Sequence, residues 1–179
     1  MMAENENLFW SKEYSLKWSD FKAEHNPASY ADSHSVIKYG FTWTVDSEKM
    51  GRDILFLIKN IQVSVEFCPL LSSVRPSETS DQLLKYEQGR FDMAELVKRE
   101  NIFDLQTKFE GKKFPTRGKN EDQRKQLAKE DSGKMIAKEI EQLQKILDNR
   151  LEEYDETTDY GNNAEKQSEY ALKFQKLKL

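Results

Sequence analysis

Cysteine is nearly missing: Cys68 is the only one in 179 residues, so no internal disulfide can form and the thiol reads as a small buried hydrophobe. Histidine is scarce too, with His25 and His34 alone, both in the N-terminal segment where a surface or turn role is expected. No apolar run approaches ~18 residues, which excludes a transmembrane helix. The first 15 residues contain Glu4, Glu6 and Glu13 and no continuous apolar stretch, so no signal peptide is visible. The expected compartment is the cytoplasm if the sequence is full length, and an exported location if a leader was removed. There is no phosphate-binding glycine loop, nucleophile elbow or C-x-x-C pair. Positive charge is in deficit, with 28 Lys and Arg against 32 Asp and Glu, and the net −4 argues against nucleic acid as a partner.

What is present suits one domain, residues 1–179, with 20 aromatic residues available for a core beneath a surface rich in charge. Trp10, Tyr14, Leu16, Trp18 and Phe21 lay an apolar edge through a polar segment. From Ile37 to Val45, apolar and polar residues alternate, which predicts a half-buried strand. Asp46–Asp53 is the expected hairpin connection, and a second strand follows from Ile54 to Phe67. Its phase slips at Lys59–Asn60, which predicts a bulge. Ser80 or Ser77 is positioned to cap a helix through Leu83–Lys98, extending towards Phe109. Gly89 inside that helix marks the close approach of another backbone. A basic loop at Gly111–Asn120 leads to a helix over Glu121–Tyr154, interrupted at Gly133. Its stripe Ile136, Ile140, Leu143, Leu147, Leu151 and Tyr154 is the pattern of a helix packed on a core. An acidic turn, Glu152–Tyr160, precedes a last helix near Ala164–Lys178. Strands before helices give an α+β fold: a small antiparallel sheet packed against a central helix and long C-terminal helices.

The chemistry concentrates in Tyr86-Glu87-Gln88-Gly89-Arg90-Phe91-Asp92-Met93-Ala94-Glu95. It reads as a zinc-protease helix, H-E-x-x-H, in which Glu87 keeps the general-base position while Tyr86 and Arg90 replace both histidines. Leu16-Lys17-Trp18-Ser19-Asp20-Phe21 upstream, and Tyr154-Asp155, Thr158, Tyr160-Gly161 and Gln167 downstream, extend the pattern. Together these motifs, over residues 14–170, make the chain resemble the bacterial and archaeal family of predicted secreted zinc-dependent proteases. The resemblance implies a zincin-like fold and places a third zinc ligand at Tyr160, with Asp92 and Glu95 in a supporting shell.

All three ligand positions thus depart from the family pattern. Arginine has no acceptor atom and stays protonated up to a pKa above about 12, and tyrosine, with a reference pKa near about 10, is a costly ligand. Zinc, and any other cofactor, is therefore not expected here. Without metal, nothing lowers the pKa of an attacking water from about 15.7 towards ~7, and Glu87 is left as a vestigial base. Arg90 is expected to fill the vacated position and neutralise Glu87 one helical turn away, with Tyr86 and Tyr160 packed around it. The expected function is a catalytically inactive pseudo-metallopeptidase that binds a peptide or protein in the old cleft, for example by strand addition. The alternative is an active hydrolase using Glu87 with a metal held by Tyr, Asp or Glu, and a third reading is an assembly module that uses the Ile136–Tyr154 stripe.

Overall fold

The alternation that begins at Ile37 folds, in the computed structural model, into one arm of a long antiparallel hairpin; the structure describes residues 6–179. Along the chain the strands are β1 (Leu8–Phe9), β2 (Ser33–His34), β3 (Ile37–Met50), β4 (Asp53–Phe67), β5 (Ser73–Val74) and β6 (Lys113–Pro115). The helices are α1 (Asp81–Phe109), α2 (Glu121–Thr157) and α3 (Ala164–Gln175). β4 is the sheet's centre: β3 pairs along one edge, while β1 and β6 pair with opposite ends of the other. β2 and β5 form a separate antiparallel pair. The fold is α+β, with the helices packed against small antiparallel sheets.

The bulge has a visible purpose. Thr42 lies opposite Gln62 but Thr44 lies opposite Lys59, so β4 carries the extra residue, and Asn60 takes it up with φ +54°. Phe56 and Ile58 before the bulge therefore share the buried face with Ile61, Val63, Val65 and Phe67 after it. Without it, a one-residue slip would turn half of these side chains to solvent. The hairpin connection is tighter than Asp46–Asp53: both strands continue to a turn at Gly51 and Arg52.

α1 is capped by Ser80, whose hydroxyl accepts from the Leu83 amide, and runs unbroken to Phe109. Between Tyr86 and Val97 it is buried on nearly every side, because the sheet, α2, α3 and the N-terminal segment all reach it. Leu16 N donates to Gln88 Oε1 at 2.7 Å, and Trp18 Nε1 donates to the Ser80 carbonyl at 3.2 Å. Phe21 packs edge-on to Phe67, which meets Phe91 of α1. The Leu16–Phe21 element is thus a clasp on the central helix.

Several expectations are corrected. Gly89 is approached by a side chain rather than a backbone: a Cβ there would lie 2.0 Å from the Tyr154 hydroxyl oxygen. Gly133 does not interrupt α2; it lets the Trp43 ring lie against the helix, where a Cβ would sit 3.0 Å from it. The basic loop contains β6, and Glu152–Thr157 are the last turns of α2 rather than part of a turn. The α2 stripe, from Ile136 (0 % exposed) to Tyr154 (0 %), is used up by intramolecular packing, so it offers no assembly interface. Among the described residues no helix is long and apolar enough to cross a membrane.

Candidate functional site

Residues 86, 87 and 90 share one face of α1 because they are one turn apart. That face meets the end of α2. The Tyr86 ring stacks parallel to Tyr154 at 5.6 Å and meets Tyr160 edge-on at 6.4 Å. Its hydroxyl donates to Asp155 Oδ1 at 2.6 Å. Arg90 Nη1 donates to both Asp155 oxygens at 2.6 and 2.5 Å, and its Nε donates to Ser35 Oγ at 3.2 Å. Ser33 Oγ donates to Glu87 Oε1 at 2.5 Å. Glu87 Oε2 has no hydrogen-bond partner and lies 3.8 Å from Arg90 Nε.

Arg90's close carboxylate is therefore Asp155, with Glu87 a more distant second. The expected Glu87–Arg90 pair is present, and Asp155 joins it as the closer carboxylate. Asp155, which the sequence shows only as part of the downstream motif, is the partner not expected for Arg90. Its signal was its place after Tyr154, the last member of the α2 stripe, which puts the carboxylate at the rim of the core.

Burial is the main influence on Glu87, 1 % exposed, and it pushes the carboxyl above its ordinary range while Arg90 and the Ser33 and Ser35 hydroxyls pull it back. Burial also works against Arg90's charge, but Asp155 and Glu87 outweigh it and hold the guanidinium protonated. Burial, then the bond to Asp155, raises the Tyr86 phenol, so a Tyr86 phenolate is out of reach at neutral pH. A carboxyl with a raised folded pKa binds more protons folded than unfolded, so its contribution to stability falls as pH rises from about 4.3 towards the folded value. Glu87→Gln, which keeps the shape without the charge, is expected to stabilise the fold at neutral pH. The gain should fade as pH drops through about 4.3 and vanish below about 3, where wild type is protonated in both states; urea unfolding at several pH values measures it.

The chain leaves α2 through a turn in which Asp159, Tyr160 and Gly161 all have left-handed φ, +49°, +53° and +88°. At Gly161 this turn also demands the absence of a side chain, since a Cβ would sit 2.6 Å from the Tyr86 Cβ. Gln82 Nε2 of α1 holds the turn by donating to the Gly161 carbonyl at 2.7 Å. Tyr160, 56 % exposed, stands between two hollows. A smaller one of about 250 Å3 holds Arg90 and Asp155. A larger cleft of about 630 Å3 is bounded by Tyr30, Ser33, Gln82, Tyr86, Tyr160 and Asn162.

Asp92 and Glu95 do not join this cluster, because 2 and 5 residues beyond Arg90 they are turned about 160° and about 140° around α1 from it. Asp92 accepts from Trp10 Nε1 at 2.8 Å and from Gln88, while Glu95 pairs with Lys98 and Arg99, both at 2.9 Å. They anchor the N-terminal segment and the helix surface instead of supporting a metal shell. His25 bonds Ser73 and the Ala31 carbonyl, and His34 lies in β2.

The residues at the three expected ligand positions do not fit zinc. A guanidinium sits on the Asp155 carboxylate, and the Tyr86 hydroxyl offers its proton rather than a lone pair to its neighbour. Among the described residues no group of three His, Cys, Asp or Glu side chains is arranged to hold a metal. Compared with known proteins, the chain matches no family model, no curated protein and no solved structure.

Proposed function

We propose that this chain is a metal-free, non-catalytic counterpart of a zinc peptidase that binds an extended peptide or protein segment in the cleft beside Tyr86 and Tyr160. The observation that carries this reading is the guanidinium of Arg90 lodged between Asp155 and Glu87, one turn along α1 from Tyr86. A positive charge there supplies the electrostatic balance that a cation would otherwise provide and opposes the entry of one. Glu87, 1 % exposed and tied to Ser33, is poorly placed to reach a substrate water, which disfavours the hydrolase alternative.

Binding is favoured by the tyrosines. Tyr160 keeps a bulky side chain in a left-handed conformation that costs roughly 1 kcal/mol, and its exposed ring is not part of the buried core. Strain retained at an exposed aromatic is the pattern of a ligand-contact residue. Tyr30, fully exposed on the cleft's rim, offers a second apolar and hydrogen-bonding surface.

Tyr160→Gly is therefore expected to raise stability by about 1 kcal/mol while weakening peptide binding at least about tenfold. An immobilised peptide array followed by titration calorimetry provides the ligand, and mass spectrometry of the recovered peptide reports cleavage. Retained binding in Tyr160→Gly, or cleavage that stops in Glu87→Gln, would overturn the reading.

A further inference from the structure

The far end of the molecule carries a second hollow, unrelated to the peptidase-like cluster. Beyond the bulge, the inward face of the hairpin is not fully covered by α2, and a trough of about 630 Å3 remains between β3, β4 and the first turns of α2. Its floor is apolar: Val45, Ile54 and the buried Phe56, with the Trp43 ring and Ala128 as one wall. Phe56 is held rigid by stacking on Phe114 of β6 at 5.4 Å. A volume of this size lies within the range for small-molecule sites, about 300–1,000 Å3.

The rim has a different character. Lys49, Arg124, Lys125 and Lys129 surround it with only Glu121 in opposition, a local charge of +3 in a chain whose net charge is −4. Nearby cations outside the rim are engaged, Lys113 with Glu48 and Arg117 with Asp131. Within the rim, Lys129 donates to the Trp43 carbonyl and covers its ring, and Lys125 faces Glu121 at 3.4 Å. Lys49 is exposed, and Arg124 lines the trough partly buried, its Nε shielded from solvent and without a hydrogen-bond partner. Nε is closed to a ligand as it is to water, so a bound carboxylate would meet the terminal nitrogens of the Arg124 guanidinium, and the positive rim favours such an anionic head.

We infer that this trough binds an amphipathic monoanion, an apolar body of medium length laid over Val45, Ile54 and Phe56 with a single carboxylate on Arg124. Charge complementarity selects the head and the apolar floor selects the tail. Nucleic acid, which brings phosphates in series and no aliphatic body, fits the floor poorly.

The test is titration calorimetry of the full chain with decanoate, decanol and decyltrimethylammonium, each below its micelle-forming concentration. Saturable 1:1 binding of decanoate, at least about tenfold tighter than either companion, is expected, with that preference lost in Arg124→Gln. Ser47, opposite Phe56 in the β3–β4 register, also lines the trough, and Ser47→Trp, which keeps the charges but fills the space over the floor, should abolish binding while circular dichroism stays unchanged. Equal affinity for the cationic and anionic probes, no saturable heat, or an undiminished response in both variants would overturn the assignment. So would capture by phosphatidylglycerol vesicles without any binding of monomeric decanoate, since that describes a membrane-surface patch.

Discussion

Arg90→Ala is expected to destabilise the fold by about 3 kcal/mol. The side chains of Arg90 and Asp155 are each 18 % exposed, and that of Glu87 is 2 % exposed, so solvent can do little to replace the lost guanidinium. Its removal leaves two carboxylates facing a shared gap, one of them with Oε2 already unpaired. The residual exposure of the pair places the loss at the lower end of what breaking a buried pair costs. The variant should also lose stability more steeply as pH rises above about 4.3, because Glu87 loses its strongest attraction and its folded pKa climbs further. Urea denaturation with linear extrapolation checks both statements. A loss within ~0.5 kcal/mol would mean a solvated surface pair and would remove the basis for regarding Arg90 as the stand-in for a cation.

Gly89→Ala should reverse the usual sign of its class. In an exposed helix interior the exchange gains about 1 kcal/mol. Here the new Cβ would fall 2.0 Å from the Tyr154 hydroxyl oxygen and 2.8 Å from its Cζ. Tyr154 cannot retreat: it is 0 % exposed, donates to the Tyr86 carbonyl at 2.9 Å and accepts from Gln167 Nε2 at 2.8 Å. Stacking on Tyr86 and an edge contact with Tyr170 at 4.9 Å close the remaining routes. A loss of about 2 kcal/mol is expected, since the overpacking exceeds the propensity gain. The same exchange in a Tyr154→Phe background should lose less, because the nearest atom is gone. Stabilisation by Gly89→Ala would show that α2 does not press on α1 at this point.

Periodicity accounts for most of what could be read in advance. The β3–β4 alternation, the phase slip that becomes the Asn60 bulge, the Ser80 cap and the α2 stripe are all local patterns, and each lies where a repeat of two or 3.6 residues put it. β6 escaped because three residues that include Pro115 carry no alternation; partners on β4 alone define them. Gly133 misled because its poor helix propensity is offset by the Trp43 ring packed against it, a contact ninety residues away in sequence. At the site, spacing along one helix was enough to put Tyr86, Glu87 and Arg90 on one face. It was equally able to separate Asp92 and Glu95 from them, had the angle been followed around the helix. The stripe puts Asp155 at the rim of the core, but its meeting with Arg90 across 65 residues depends on how α2 ends against α1.

Residues 86, 90 and 160 surround one point, and we propose that a guanidinium has displaced a cation from it. The decisive variant combines Tyr86→His, Arg90→His and Tyr160→His in one chain, and histidine tolerates the left-handed backbone at position 160 better than tyrosine does. Calorimetric titration with zinc is predicted to give one tightly held ion per combined variant and none for the unaltered chain. A folded combined variant that takes up no zinc, or an unaltered chain that binds it stoichiometrically, would contradict the claim.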